Sequence, residues 1–140
     1  GEKTMATKGT LLYGNSGGEH GDAKAASEFI SKLLEAVVII HKVHLMTTGP
    51  GSFAAHTALG VYSDLDDLTD GLAEAWMGCS GQGLSFAGVD GKNWPAEVQK
   101  IYDYVESNRN MMGSESHIQN EIDSICTALS SALFKLNRLS

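Results

Sequence analysis

The chain has no lysine or arginine between Lys42 and Lys92, while Asp64, Asp66, Asp67, Asp70, Glu74 and Asp90 all fall inside that gap. An acidic stretch without resident cations attracts cations from solution. The formal net charge of -7 denies the chain the clustered positive charge that nucleic acid and anionic lipid require. Only two cysteines occur, Cys79 and Cys126, far apart and outside any CxxC pattern. That excludes a disulfide framework and a zinc knuckle, and leaves free thiols in a reducing, cytoplasmic setting as the expectation. Long hydrophobic runs are missing too: Ala36 to Ile40 is flanked by Glu35, His41 and Lys42, far too short and polar for a membrane span. The amino end shows no secretory apolar core. No GxGxxG, P-loop, GxSxG or HExxH segment occurs, so nucleotide, acyl-transfer and zincin chemistry have no support. No ExxH tetrapeptide occurs either, which removes the histidine-bearing motif of an intra-bundle di-iron site.

What is present suits one helical domain. The 140 residues are 42% hydrophobic, enough for a worthwhile core. Residues 1–21, with Gly9, Gly14, Gly17, Gly18 and Gly21, read as an extended or mobile arm, and residues 22–140 as a four-helix bundle. Lys3 and Lys8 are balanced by Glu2 and Glu19, so the arm has no basic grip for DNA. From Asp22, a suitable N-cap, to Thr47 the residues Phe29, Ile30, Leu33, Leu34, Val37, Ile40, His41 and His44 recur at helical spacing. Gly49, Pro50 and Gly51 stop this helix. Ser52 is placed to cap a second that runs to Met77, ends at Gly78, and carries the core stripe Val61, Leu65, Leu68, Leu72 and Ala75. A third starts at Trp94 and Pro95 and buries Val98, Ile101, Tyr102 and Val105. After Gly113, a fourth starts at Ser114 or Ser116 with the stripe Ile118, Ile122, Ile125, Leu129, Leu133 and Leu136.

The links near residues 48–52 and 111–115 are short and predict antiparallel neighbours, whereas residues 78–94 form a glycine-rich segment. Stretched to roughly 55 Å, that segment is able to run the length of a helix of about 39 Å. One long crossover between two hairpins is the ferritin-like arrangement. Trp76 and Trp94 bracket the crossover and are expected to anchor it.

The second helix carries the chemistry. On a continuous helix His56 and Glu74 share a direction but lie about 27 Å apart along the axis, too far to bind one ion in one chain. Asp67 and Asp70 point within about 40° of that direction, away from Val61, Leu65, Leu68 and Leu72. Asp70 and Glu74, at i and i+4, repel unless a cation lies between them. Facing the same stripe of a second subunit across a two-fold axis, His56 of one chain approaches Asp70 and Glu74 of the other. Imidazole with carboxylate suits iron, manganese or zinc.

The run His44-Leu45-Met46-Thr47-Thr48-Gly49-Pro50-Gly51-Ser52-Phe53-Ala54-Ala55-His56, followed by Asp70 through Glu74, resembles the miniferritin or Dps-like branch of the ferritin-like superfamily. That branch has a His, a Gly-Pro-like break, a second His twelve residues on, and then a DxxxE pair. The resemblance implies a four-helix subunit in two-fold dimers within a twelve-subunit shell, which oxidises ferrous iron between subunits and stores ferric mineral. It assigns His44 and His56 as neutral metal ligands and Asp70 and Glu74 as charged ligands from across the interface, with Asp67 as an auxiliary or entry site. The chain departs from the pattern in three places. Gly60 stands where an acidic ligand follows the second His, Leu45 replaces a tryptophan, and the DxxxE pair comes one residue early. A one-residue slip rotates a helical side chain by about 100°.

Two functions follow from this reading. The first is a Dps-like iron-binding protein with ferroxidase and iron-storage activity. The second is a non-catalytic ferritin-like structural or interaction module with a degenerate metal site, for which Gly60 is the strongest sign. His41 is expected to be structural and Cys79 to have no role.

Overall fold

The computed structural model describes residues 20–89 and 94–138, and every regular element among them is helical. The helices are α1 (Ala23–Met46), α2 (Phe53–Leu59), α3 (Tyr62–Ser80), α4 (Trp94–Ser107) and α5 (Ser116–Arg138), with a 3-10 turn at Arg109–Met112 before α5. The chain divides into two compact units, residues 1–86 and 87–140. Nearly all of the predicted amino-terminal arm, and residues 90–93 of the predicted crossover, lie outside the described residues.

In the first unit α1 packs on α2 and α3. Asp22 caps α1 as expected, its carboxylate accepting from the Ala25 amide at 2.7 Å. The predicted second helix is instead two helices, because the helical ladder breaks at Gly60. The Gly60 and Val61 amides donate to Thr57 O and Ala58 O, three residues back, at 3.1 and 3.4 Å. Ser52 does not cap α2; its hydroxyl donates back to Thr48 O at 3.1 Å. Nor does Gly78 end α3. The helix continues to Ser80, and Gly81, at φ 70°, supplies the left-handed residue whose amide returns to Met77 O at 2.9 Å.

The start of α3 lies beside the end of α1, where Tyr62 stacks on His41, and its far end lies beside the start of α1. The two are therefore antiparallel. Residues 81–86 then run past the beginning of α1, with the Ser85 amide donating to Ser27 Oγ at 3.1 Å and the Gln82 side chain to Gly21 O at 3.4 Å. Trp76 does hold the chain, its indole N–H donating to His20 O at 2.7 Å. The core here is built from Ser27 and Ile30 on α1 and Thr69, Ala73 and Ser80 on α3. Each buried hydroxyl has a partner: Thr69 donates to Leu65 O, and Ser27 and Ser80 accept from backbone amides.

That core corrects the predicted stripe of α3. Val61, Leu68 and Leu72 are 49%, 70% and 44% exposed. Ala75 is exposed as well, and of the predicted stripe only Leu65 is half-buried, one turn before Thr69. From Thr69 on, the side turned to α1 is one residue beyond the predicted Leu68 and Leu72, about 100° around the helix, where small side chains permit close approach.

In the second unit α4 packs on α5. Trp94 donates its indole N–H to Val89 O. Val98, Tyr102 and Val105 are half-buried, whereas Ile101 is exposed. On α5 the inward positions are Ile118, Ile122, Cys126, Leu129, Leu133 and Leu136, so Cys126 replaces the predicted Ile125, which is half exposed. The turn between α4 and α5 is tied by Arg109. Its guanidinium donates to Glu106, Asp123, the Gln119 side chain and Gln119 O, and Gln119 returns its amide to Arg109 O and Gly113 O.

Candidate histidine site

Where α1 ends, the chain must reverse to bring α2 back alongside it. Gly49 and Gly51, at φ 106° and 83°, take conformations that L side chains rarely adopt, and Pro50 lies between them. The reversal brings His44 and His56, twelve residues apart, into contact, their rings stacked at 3.8 Å with planes 28° apart. Both rings are then oriented by backbone. His44 Nδ1 donates to His56 O at 2.8 Å, and His56 Nδ1 donates to Thr47 O at 3.1 Å. A carbonyl only accepts, so each Nδ1 carries a proton, and of the two neutral tautomers this selects the one with its lone pair on Nε2. This is how metal-binding histidines are held: one ring nitrogen anchored, the other available.

A second pair of rings adjoins the first. His41, one turn before His44, lies flat on Tyr62 at 3.8 Å and 8°, and Tyr62 is 5.5 Å from the His44 ring at 55°. His41 and His44 are 6.4 Å apart. Helical spacing did not single out Tyr62. On an unbroken helix it would lie about 240° around from His56, on another face. The break at Gly60 redirects α3 and brings Tyr62 to the histidines, and the glycine itself was the signal.

The acidic candidates are not grouped with the histidines. Asp70, with Asp66 one turn before it, lines an open, mostly apolar groove of about 350 Å³ bordered by Ile30, Leu34, Met77 and Phe86. Asp67 and Glu74 are exposed. No three His, Cys, Asp or Glu side chains among the described residues of one chain form a group able to hold a metal ion. The histidine pair brings together two imidazoles, the donor type that divalent transition ions prefer, without a third protein ligand of those types beside them among the described residues. Gly60, at the position of the expected acidic ligand, is closely packed: a Cβ built there would lie 3.0 Å from Thr57 O.

Two other titratable groups are perturbed. Asp123, through its hydrogen bond, holds the Arg109 guanidinium protonated beyond its ordinary range, and Glu106 adds to this. Burial, then the Glu106 carboxylate 3.3 Å away, pushes the Cys126 thiol up. Cys79 is exposed. No helix among the described residues is long and apolar enough to cross a membrane.

The chain is 29% identical over 110 residues to an uncharacterized 14.6 kDa protein of the mobD-ri intergenic region of Enterobacteria phage T4, covering 76% of this chain and 84% of that protein. No solved structure matches it. A family model of unknown function matches residues 44–136, a span that begins at His44 and contains His56, Asp67, Asp70 and Glu74. The chain thus belongs to the family of unknown function DUF5856.

Proposed function

We propose that this protein is a Dps-like, ferritin-like four-helix protein that binds iron between two-fold-related subunits and oxidises it. The observation that carries the reading is the anchoring of both histidines through Nδ1, at 2.8 and 3.1 Å, which presents two Nε2 lone pairs from one small patch. In this reading α2 and α3 together are the second helix of a bundle with α1, α4 and α5, and the segment after α3 is its crossover. His44 and His56 hold the ion as neutral ligands. Asp70 and Glu74 of a second copy bring the negative charge that the histidine patch lacks, and Asp67 serves entry. Iron(II) is the substrate, giving up electrons to oxygen or peroxide; ferric storage follows in a closed shell, and manganese or zinc suit the same donors. Cys79 and Cys126 as free thiols suit a reducing cytoplasm.

A second reading is favoured by Gly60, whose close packing against Thr57 O leaves the expected carboxylate absent for a structural reason. In it the protein is a non-catalytic ferritin-like structural or interaction module. Ferrous iron added in air, with ferric product and solution mass followed together, separates the two. An oligomer that oxidises iron, with oxidation lost in His56→Ala combined with Glu74→Ala, supports the first. A monomer that leaves ferrous iron unchanged ends it.

A further inference from the structure

We infer that the Tyr62 phenol is a third protein donor beside His44 and His56, one that holds the ferric product of the proposed oxidation and adds nothing to the binding of softer divalent ions. The inference rests on the histidine-pair reading and adds to it a ligand for the ferric state. Two neutral imidazoles suit divalent transition ions, but ferric iron is harder and seeks an anionic oxygen. Gly60 supplies none, and no carboxylate or thiolate is grouped with the histidines among the described residues. Tyr62 is an ionisable oxygen-bearing side chain whose ring the fold brings there.

Three observations bear on it. The helix break at Gly60 turns α3 so that the Tyr62 ring comes within 5.5 Å of the His44 ring. His41, flat against Tyr62 at 3.8 Å and 8°, fixes the plane of that ring. Tyr62 is half-buried, yet among the described residues no hydrogen bond engages its hydroxyl. On binding, the phenol O–H bond breaks heterolytically: the proton passes to water, and the oxygen keeps the electron pair and donates it to the ion. Iron stays ferric throughout, and nothing is oxidised or reduced.

The test uses the full chain and ferric ion supplied as its nitrilotriacetate chelate, with cobalt(II) as the divalent probe. Ferric iron should give a visible phenolate-to-iron charge-transfer band. Tyr62→Phe keeps a ring to stack on His41; it should lose the band and bind ferric iron at least about tenfold more weakly, with cobalt(II) binding unchanged. His44→Ala combined with His56→Ala should lose both ions. A band that persists in Tyr62→Phe, or unchanged ferric affinity, overturns the inference; with cobalt(II) still lost in the double variant, the histidine-pair reading survives. If the wild-type chain binds neither ion, both fall. Should Tyr62→Phe not fold, resonance Raman of the wild-type ferric complex decides, because absent tyrosinate modes overturn the inference without any substitution.

Discussion

His44 and His56 owe their state to single hydrogen bonds, which makes them sensitive to changes that barely alter the fold. Their spacing about a Gly-Pro break was readable from the chain; their contact within one chain was not, because helical spacing set His56 against carboxylates of a second copy. Nor was it readable which nitrogen is anchored, because that depends on where His56 O and Thr47 O come to lie. The two cysteines show the same division at the level of one side chain. Cys79 is exposed and should be alkylated quickly in the native protein, whereas Cys126 is buried and raised in pKa, and should react only on unfolding. Mass spectrometry of a timed iodoacetamide reaction reads both, and equal rates would contradict the burial. The raised thiol also has a sign for stability. At alkaline pH the unfolded chain ionises Cys126 before the folded one does, so the folded state binds more protons and stability falls as pH rises. Cys126→Ser, which removes this titration, should flatten the alkaline limb of a denaturation midpoint followed against pH.

Among the elements, helix starts were more legible than helix ends. Asp22 reads as a cap and is one, since a carboxylate before an apolar period has few other uses; Asp22→Ala should cost about 1 kcal/mol in chemical denaturation. Gly78 was the expected stop for α3, but a glycine ends a helix only where the backbone turns left-handed, which happens at Gly81. The helical glycines test this distinction. Gly71 and Gly78 have open space where a Cβ would stand, so Gly71→Ala and Gly78→Ala should each stabilise by about 0.5–1 kcal/mol. Gly60→Ala should fall short of that gain, because its Cβ would press on Thr57 O at 3.0 Å. Equal gains at all these positions in urea titrations would show that Gly60 is not closely packed. The α5 stripe was nearly legible. Cys126 was passed over in favour of Ile125 because both are apolar and adjacent, and only the position of α4 chooses between them.

For the whole molecule, the small buried core is the governing fact. Ile30 is 4% exposed in the first unit and Ile122 is 7% exposed in the second, so Ile30→Ala and Ile122→Ala should each cost about 2–5 kcal/mol by denaturant unfolding. A loss below about 1 kcal/mol at either would mean that side chain does not anchor its unit. Large apolar side chains stay exposed, among them Phe29 at 62%, Leu68 at 70% and Phe134 at 56%, and apolar surface on this scale marks contact surface. Light scattering should accordingly give a mass above the 14.9 kDa of one chain, as the proposed subunit-shared site requires.

Apolar periodicity and the turn glycines by themselves determined an all-helical chain and its reversal before α2. These are local properties, since spacing and backbone preference act over a few residues. Tertiary structure alone decided that the two histidines meet, that α3 turns Thr69 and Ala73 to α1 instead of Leu68 and Leu72, and that Tyr62 reaches the histidines. The last two follow from the break at Gly60, which redirects α3.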